Sequence, residues 1–124
     1  MSHDRRRGHQ LLPQEIRAGL PPLYSQEALR LHALAVVKFF TPDSNWTWYA
    51  SEGSPVDEDS YYDTDKPKVD FCLFGLVCGH EVELGYYSLR ELETVTGPRR
   101  MPIERDLHFR PETLTKLKKK HETD

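Results

Sequence analysis

Residues 70–91 constrain the fold of this 124-residue chain more than any other segment. Residues 70–78 are rich in aliphatic and aromatic side chains, as strands are, and residues 81–87 resume that character after a turn at Gly79 and His80. Ser88 and Glu91 then have the spacing of a capping box, which opens a helix. The segment therefore predicts a β-hairpin that leads directly into a helix.

The turn sets the predicted register of this hairpin. Glycine at the first position of a two-residue loop suits a type II′ turn, because only glycine adopts a positive φ there without steric cost. Cys78 then faces Glu81, and Leu73 faces Tyr86. This register gives one apolar core face and a second face that mixes apolar side chains with carboxylates. The second face predicts a partner surface, a groove or a covering segment.

Composition places the chain among single-domain proteins with a charged surface. The hydrophobic content is 37% and the charged content is 30%, and a chain of this length buries roughly two-thirds of its unfolded surface. No apolar run approaches the roughly 20 residues of a transmembrane helix. The first residues also lack the apolar core of a signal peptide. We therefore expect a cytoplasmic protein.

The order of the predicted elements favours an α+β fold. Strands joined as hairpins, without alternating βαβ units, predict one antiparallel sheet of about five strands with three or four short helices packed on one face. A second hairpin is expected around the turn-forming residues 41–45, and a further short strand at residues 103–109. A domain over residues 11–118 would lie between a flexible basic tail, residues 1–10, and a polar tail, residues 119–124. Residues 53–68 are expected to form an acidic loop.

Glu104, Asp106 and His108 recur at every second residue, so a strand would project all three from one face within reach of one ion. They are the candidate metal ligands of a metal-dependent hydrolase acting on nucleic acid, in which Arg105 would stabilise a phosphate. The alternative is a solvated polar row, with Arg105 paired to a buried carboxylate such as Asp70. No cofactor is expected.

An aromatic and acidic surface is the second candidate site. The acidic loop carries five carboxylates against two lysines, and aromatic residues flank the 41–45 turn. Tryptophan and tyrosine dominate interface hot spots, and carboxylates complement a basic groove on a partner. We predict a non-enzymatic protein-binding module acting through this surface, although core packing would also explain the tryptophans. The surface comprises Trp46, Trp48, Tyr49, Asp57, Glu58, Asp59, Tyr61 and Tyr62.

Basic residues at both ends of the chain and in one connector predict a third function, direct contact with nucleic-acid phosphates. Solvated tails are the alternative, and a net charge of −3 gives no overall attraction to nucleic acid. The basic residues are Arg5, Arg6, Arg7, Arg99, Arg100, Lys118, Lys119 and Lys120.

An ordered set of short segments is similar to one bacterial family. The segments are residues 11–13, 24–27, 38–42, 46–49, 74–77, 83–86 and 103–106. Together they resemble the family catalogued as domain of unknown function 2958, over residues 11–117. The resemblance implies carriage on plasmids, integrative elements and phages, and an accessory role in counter-defence or element maintenance. It supplies no catalytic residues, and Arg100-Met101 departs from the glycine-leucine pair that the family favours there.

Overall fold

A computed structural model describes residues 8–123. The strands are β1 (Leu34–Ala35), β2 (Val37–Phe40), β3 (Thr47–Ala50), β4 (Glu52–Val56), β5 (Asp70–Cys78), β6 (Val82–Ser88), β7 (Glu104–Arg105) and β8 (Glu112–Thr113). The helices are α1 (Gln14–Gly19), a 3₁₀-helix (Glu27–His32), α2 (Leu89–Thr94) and α3 (Leu114–Thr123). None of the described helices has the length and apolar character needed to cross a membrane.

The main sheet is antiparallel and is built around β5. One edge of β5 pairs with β6, and the opposite edge pairs with β4 and then β3. Strand β2 continues the sheet beyond β3, and β7 pairs with β2. Strands β1 and β8 form a separate antiparallel pair. The predicted α+β class with an antiparallel sheet is confirmed, and so is the hairpin around residues 41–45, which joins β2 to β3.

A β-bulge separates β3 from β4. Trp48 pairs with Val77, whereas Glu52 pairs with Phe74, so the β3–β4 ribbon has one residue more than β5 over this stretch. The extra residue reverses which face the side chains occupy. Gly75 lies opposite the bulge, where a Cβ atom would collide with the carbonyl oxygen of Tyr49. A glycine is therefore required at the position where the two backbones approach most closely.

The sheet has a core on each face. The core of face A contains Phe39, Trp48, Leu73 and Tyr87 from the strands, together with Leu92 of α2. The core of face B contains Tyr49, Leu76 and Cys78, together with Leu114 and Leu117 of α3. The expectation that the helices pack on one face is therefore wrong. The cause is that β5 is apolar on both sides, so each face needs a cover.

The β5–β6 hairpin has a register one residue away from the predicted one. Cys78 pairs with Val82 and Leu73 pairs with Tyr87, so the loop has three residues instead of two. Gly79 does not have the positive φ of the expected turn; instead its missing side chain makes room for the Trp46 ring. Because the period of a strand is two, this shift moves every β6 side chain to the other face.

Two of the predicted segment boundaries also differ. The acidic loop begins at Asp57, because residues 53–56 belong to β4. Pro55 is compatible with this strand. The amide of Gly53 points away from β5 and donates to Pro21 O, and amides two residues apart on a strand point to the same side. The missing N–H of Pro55 therefore removes no hydrogen bond to β5. At the other end, α3 continues to Thr123 through residues expected to form a tail, with an ion pair from Lys118 to Glu122. The predicted cap of α2 is confirmed, since Ser88 Oγ accepts a hydrogen bond from the Glu91 amide.

Candidate protein-binding surface

Three tyrosines meet on the outside of face B. The ring centroids of Tyr24 and Tyr62 are 5.7 Å apart, and those of Tyr24 and Tyr86 are 6.1 Å apart. Phe74 packs beneath Tyr86 at 4.7 Å. The three tyrosines are 46%, 45% and 53% exposed, and Leu84, two residues before Tyr86, is 41% exposed. We call Tyr24, Tyr62, Leu84 and Tyr86 the tyrosine surface.

A buried carboxylate holds Tyr24 in position. Glu52 is 3% exposed, and its two oxygens accept hydrogen bonds from the amides of Tyr24 at 2.9 Å and Gln26 at 2.7 Å. Ser54 Oγ accepts a further bond from the Leu23 amide at 3.0 Å. Tyr24 has a φ of 70°, a conformation that costs energy in a non-glycine residue unless its surroundings fix it. The hydrogen bonds to β4 therefore preorganise this part of the surface.

A groove of about 760 Å³ lies beside the tyrosine surface. Its walls include Leu31 of the 3₁₀-helix, Phe74 of β5 and Leu84 of β6. Arg30, which also lines the groove, has a φ of 50°, a second strained backbone conformation in the segment that begins at Tyr24. Concave apolar sites of this size are suited to binding a side chain or a short segment.

The hydroxyl of Tyr86 is held in its protonated form. Burial raises the pKa of Tyr86 to about 12, with a hydrogen bond to Tyr24 and the nearby charge of Glu52 as further causes. The Tyr86 hydroxyl is therefore a neutral donor and acceptor at physiological pH.

Asp57 organises the loop that carries Tyr62. Its side chain accepts hydrogen bonds from the Thr64 hydroxyl at 2.6 Å and from the amides of Tyr61 and Asp59. These bonds, led by the one from Thr64, lower the pKa of Asp57. Asp57 is buried, so its carboxylate faces the loop and not the solvent. The exposed carboxylates of the loop are Glu58, Asp59, Asp63 and Asp65, of which Asp59 pairs with Lys66.

The predicted aromatic residues do not form one surface with this loop. Trp46 and Trp48 stack at 5.8 Å on face A, and Trp48 is 8% exposed. Tyr49 lies in the core of face B, where its hydroxyl is 2.6 Å from His121 Nε2 and where burial raises its pKa above the ordinary value. Tyr61 and Tyr62 are exposed. The aromatic residues of the expected aromatic and acidic surface are thus divided between two faces of the sheet.

The predicted metal ligands are not placed on one strand face. Strand β7 ends at Arg105, and Asp106 begins a turn in which its side chain accepts a hydrogen bond from the His108 amide at 2.9 Å. Asp106 also lies 3.7 Å from the Lys38 ammonium. The alternation expected from Glu104 to His108 is therefore broken after one step. Within residues 8–123, no group of three or more His, Cys, Asp and Glu side chains is placed to hold a metal ion.

Arg105 has other partners than the carboxylate expected for it. Its guanidinium donates to the carbonyl oxygen of Gln10 at 3.2 Å, and its amide donates to His9 Nε2 at 3.0 Å. Asp70 instead accepts hydrogen bonds from the amides of Phe71 and Arg90. The predicted pairing of Arg105 with Asp70 is wrong, and residues 9 and 10 of the expected tail pack against the domain.

The candidate basic residues lie on separate elements. Arg99 and Arg100 are exposed in the loop after α2, where the Arg99 amide donates to Asp43. Lys118, Lys119 and Lys120 are on α3, which covers the other face. Arg5, Arg6 and Arg7 lie outside the described residues.

Sequence reasoning missed Tyr24, Glu52 and Tyr86. The predicted register pairs Tyr86 with the core residue Leu73, whereas the structure pairs Leu73 with Tyr87 and buries Tyr87 instead. Glu52 has the same parity as Trp48, so without knowledge of the bulge it would be placed on face A. No local signal links Tyr24 to β4.

The comparisons with known proteins identify a family without a function. A family model described as "Protein of unknown function (DUF2958)" matches residues 11–120, which confirms the resemblance found in the sequence. No curated protein and no solved structure matches the chain.

Proposed function

The chain belongs to the DUF2958 family, and we propose that it is a non-enzymatic module whose tyrosine surface binds a basic segment of a partner protein. The observation that carries this proposal is the contact of three half-exposed tyrosines on one face of the sheet. Exposed apolar clusters of this kind mark interaction sites, and tyrosine is enriched at binding hot spots.

Preorganisation supports the proposal. Tyr24 is held by the hydrogen bonds of Glu52, and Tyr62 by a loop that Asp57 ties together. Tyr86 stands on a strand and rests on Phe74. A surface that is already ordered loses little conformational entropy when a partner binds, so more of the contact energy appears as affinity.

Charge selects the class of partner. Residues 57–68 carry five carboxylates and two lysines, a net charge of −3. Glu58, Asp63 and Asp65 are exposed on the loop that delivers Tyr62 to the surface. Tyrosine faces attract guanidinium and ammonium groups, and neighbouring carboxylates complement them. A partner segment rich in arginine and lysine, such as the wall of a DNA-binding groove, fits both features.

This partner class is consistent with the accessory role that the resemblance implies. A protein of a plasmid, integrative element or phage that occupies a basic DNA-binding groove of a cytoplasmic enzyme would act in counter-defence or element maintenance. We include that role in the proposal.

Site-directed crosslinking tests the proposal. A photoreactive residue at position 86 is expected to capture a specific partner in host cells, whereas one at the exposed Met101 is the matched control. The identified partner is then purified for calorimetry with wild-type protein, Tyr86→Ser and Met101→Ser. We expect about tenfold or greater loss of affinity for Tyr86→Ser, since hot-spot truncations commonly cost this much, and none for Met101→Ser. Affinity that survives both Tyr86→Ser and Tyr24→Ser would refute the proposal.

Changes in ionic strength and in the charge of the loop test whether the bound segment of the partner is basic. Affinity should fall as ionic strength rises, and neutralising Glu58, Asp63 and Asp65 together should reduce the association rate. A partner whose bound segment carries no arginine or lysine would contradict this part of the proposal.

A further inference from the structure

A second concave site lies between α1, α2 and the end of the acidic loop. It is a cavity of about 450 Å³. Three cationic side chains line it, Arg17 of α1, Lys68 of the loop and Arg90 of α2, together with the apolar residues Val69 and Leu89. The tyrosine surface does not share any of these residues, so the two sites are independent.

The three cations are held by neutral groups. Arg17 Nε donates to the Leu12 carbonyl oxygen at 2.8 Å, and its guanidinium lies 5.6 Å from the Phe71 ring centroid. Arg90 Nη2 donates to the Val69 carbonyl oxygen at 3.0 Å. Lys68 Nζ donates to the Thr64 carbonyl oxygen at 2.7 Å. Within the described part of the chain, none of the three forms an ion pair with a carboxylate.

The carboxylates of the cavity do not neutralise these cations. Asp70 Oδ1 accepts hydrogen bonds from the amides of Phe71 at 2.7 Å and Arg90 at 3.0 Å, so it serves the start of β5 and of α2. Glu93 lines the cavity more than 4.0 Å from every cationic nitrogen there. Three cations and two carboxylates leave the lining with a net positive charge.

We propose that this cavity binds a small phosphate-bearing ligand of nucleotide size. Guanidinium groups present planar arrays of donors that match phosphate oxygens, and Arg17 and Arg90 each keep donors that the bonds above do not use. Glu93 would accept hydrogen bonds from hydroxyl or amino groups of the same ligand. A cavity of about 450 Å³ lies within the range of small-molecule sites and exceeds what a bare phosphate ion fills.

A titration followed by amide NMR shifts tests this site. The probes are inorganic phosphate, adenosine monophosphate and acetate, all at constant ionic strength in sodium chloride. We expect saturable shifts at the amides of residues 17, 68–70 and 89–94, with adenosine monophosphate binding more tightly than phosphate and acetate not saturating. Shifts confined to other residues, or equal saturation by acetate, would overturn the proposal.

Variants separate this site from general anion attraction. Lys68 and Arg90 are exposed, so the double variant Lys68→Gln/Arg90→Gln is expected to fold, which thermal unfolding checks. It should bind adenosine monophosphate about tenfold or more weakly, whereas the exposed Arg110→Gln should bind as wild type does. Lys68→Gln/Arg90→Lys should recover part of the affinity that the double glutamine variant loses, because it restores one of the two charges. Equal affinity of the double variant and the wild type would place the ligand elsewhere and refute the inference.

Discussion

The two aromatic regions of this protein differ in their exposure to solvent. Trp46 and Trp48 stack on face A, where Trp48 is 8% exposed, while the tilted rings of Tyr24 and Tyr86 are in contact on face B and remain about half exposed. Leu89 and Leu92 of α2 share a core with Trp48, and residues 95–98 line a cavity beside the tryptophans, whereas α3 packs on face B around Tyr49, Leu76 and Cys78. Aromatic residues thus form either a core or an exposed surface, depending on what covers them.

The bulge between β3 and β4 creates this difference. It places Glu52 on the face opposite Trp48, where Glu52 holds the Tyr24 segment along β4. A regular strand would put Glu52 beside the tryptophans and leave Tyr24 without its anchor. Four experiments test whether the two regions differ in this way.

Removing one aromatic side chain from each region should change stability by very different amounts, and this is the greatest difference that we expect. Trp48→Ala should lower the free energy of unfolding by about 3–5 kcal/mol, because it opens a cavity in the core of face A. Tyr86→Ala should lower it by less than about 1 kcal/mol, because the side chain is half exposed. Urea unfolding measures both values. Similar losses for the two variants would mean that the tyrosine region is also a core.

The bulge itself is tested by two glycines that face different surroundings. Gly75→Ala should cost about 3 kcal/mol, because its Cβ would collide with the Tyr49 backbone, which cannot move without disrupting the sheet. Gly85, its partner on β6, is the control, since a Cβ there would contact only Val77 Cγ2 at 3.9 Å. Gly85→Ala should change stability by less than about 1 kcal/mol. Denaturant unfolding measures the stability of both variants. Equal losses of unfolding free energy would contradict the role given to the bulge.

The anchor of Tyr24 is tested by Glu52→Gln. The amide group keeps one acceptor oxygen but places a donor opposite a backbone N–H, so we expect a loss of about 2 kcal/mol in unfolding free energy. Affinity for the partner should fall with it, while tryptophan fluorescence of the folded state stays unchanged. Glu27→Gln, an exposed residue on the same segment, should stay within about 0.5 kcal/mol of wild type. A change in tryptophan emission would show that the two regions are coupled.

The smallest expected effect is a local response to acid. The pKa of Asp57 is lowered in the folded state, so its contribution to stability is present above the ordinary aspartate pKa of about 3.9 and is lost as the pH falls through the folded-state value. Amide NMR shifts of Tyr61 and Tyr62 should therefore change in acid before the tryptophan indole shifts do. In the Asp57→Asn variant, the amide NMR shifts of Tyr61 and Tyr62 should already differ from those of the wild type at neutral pH, because the loop is less ordered. Loop and tryptophan signals that change together in the wild type would contradict a local transition.

Local chemistry accounts for the parts that sequence predicted well. The cap at Ser88 and Glu91 and the turn between β2 and β3 depend on residues that are neighbours in the chain. The alternation of Glu104, Asp106 and His108 does not bring their side chains together, because alternation holds only while a strand continues, and β7 ends at Arg105. The predicted hairpin register is wrong because Gly79 is needed for a different reason. Gly79 does not adopt a positive φ but makes room for the Trp46 ring, a contact between residues 33 positions apart.

The α+β class, the antiparallel pairing, the helix cap and the family could all be predicted from the sequence, since each is encoded in short-range patterns of polarity, turn-forming residues and ordered motifs. Long-range packing determines which aromatic residues are covered and which carboxylate holds the Tyr24 segment. Those outcomes depend on a shift of one residue in the register of the β5–β6 hairpin and on the one-residue bulge between β3 and β4. In a strand of period two, each such step moves a side chain from the core to the solvent or back.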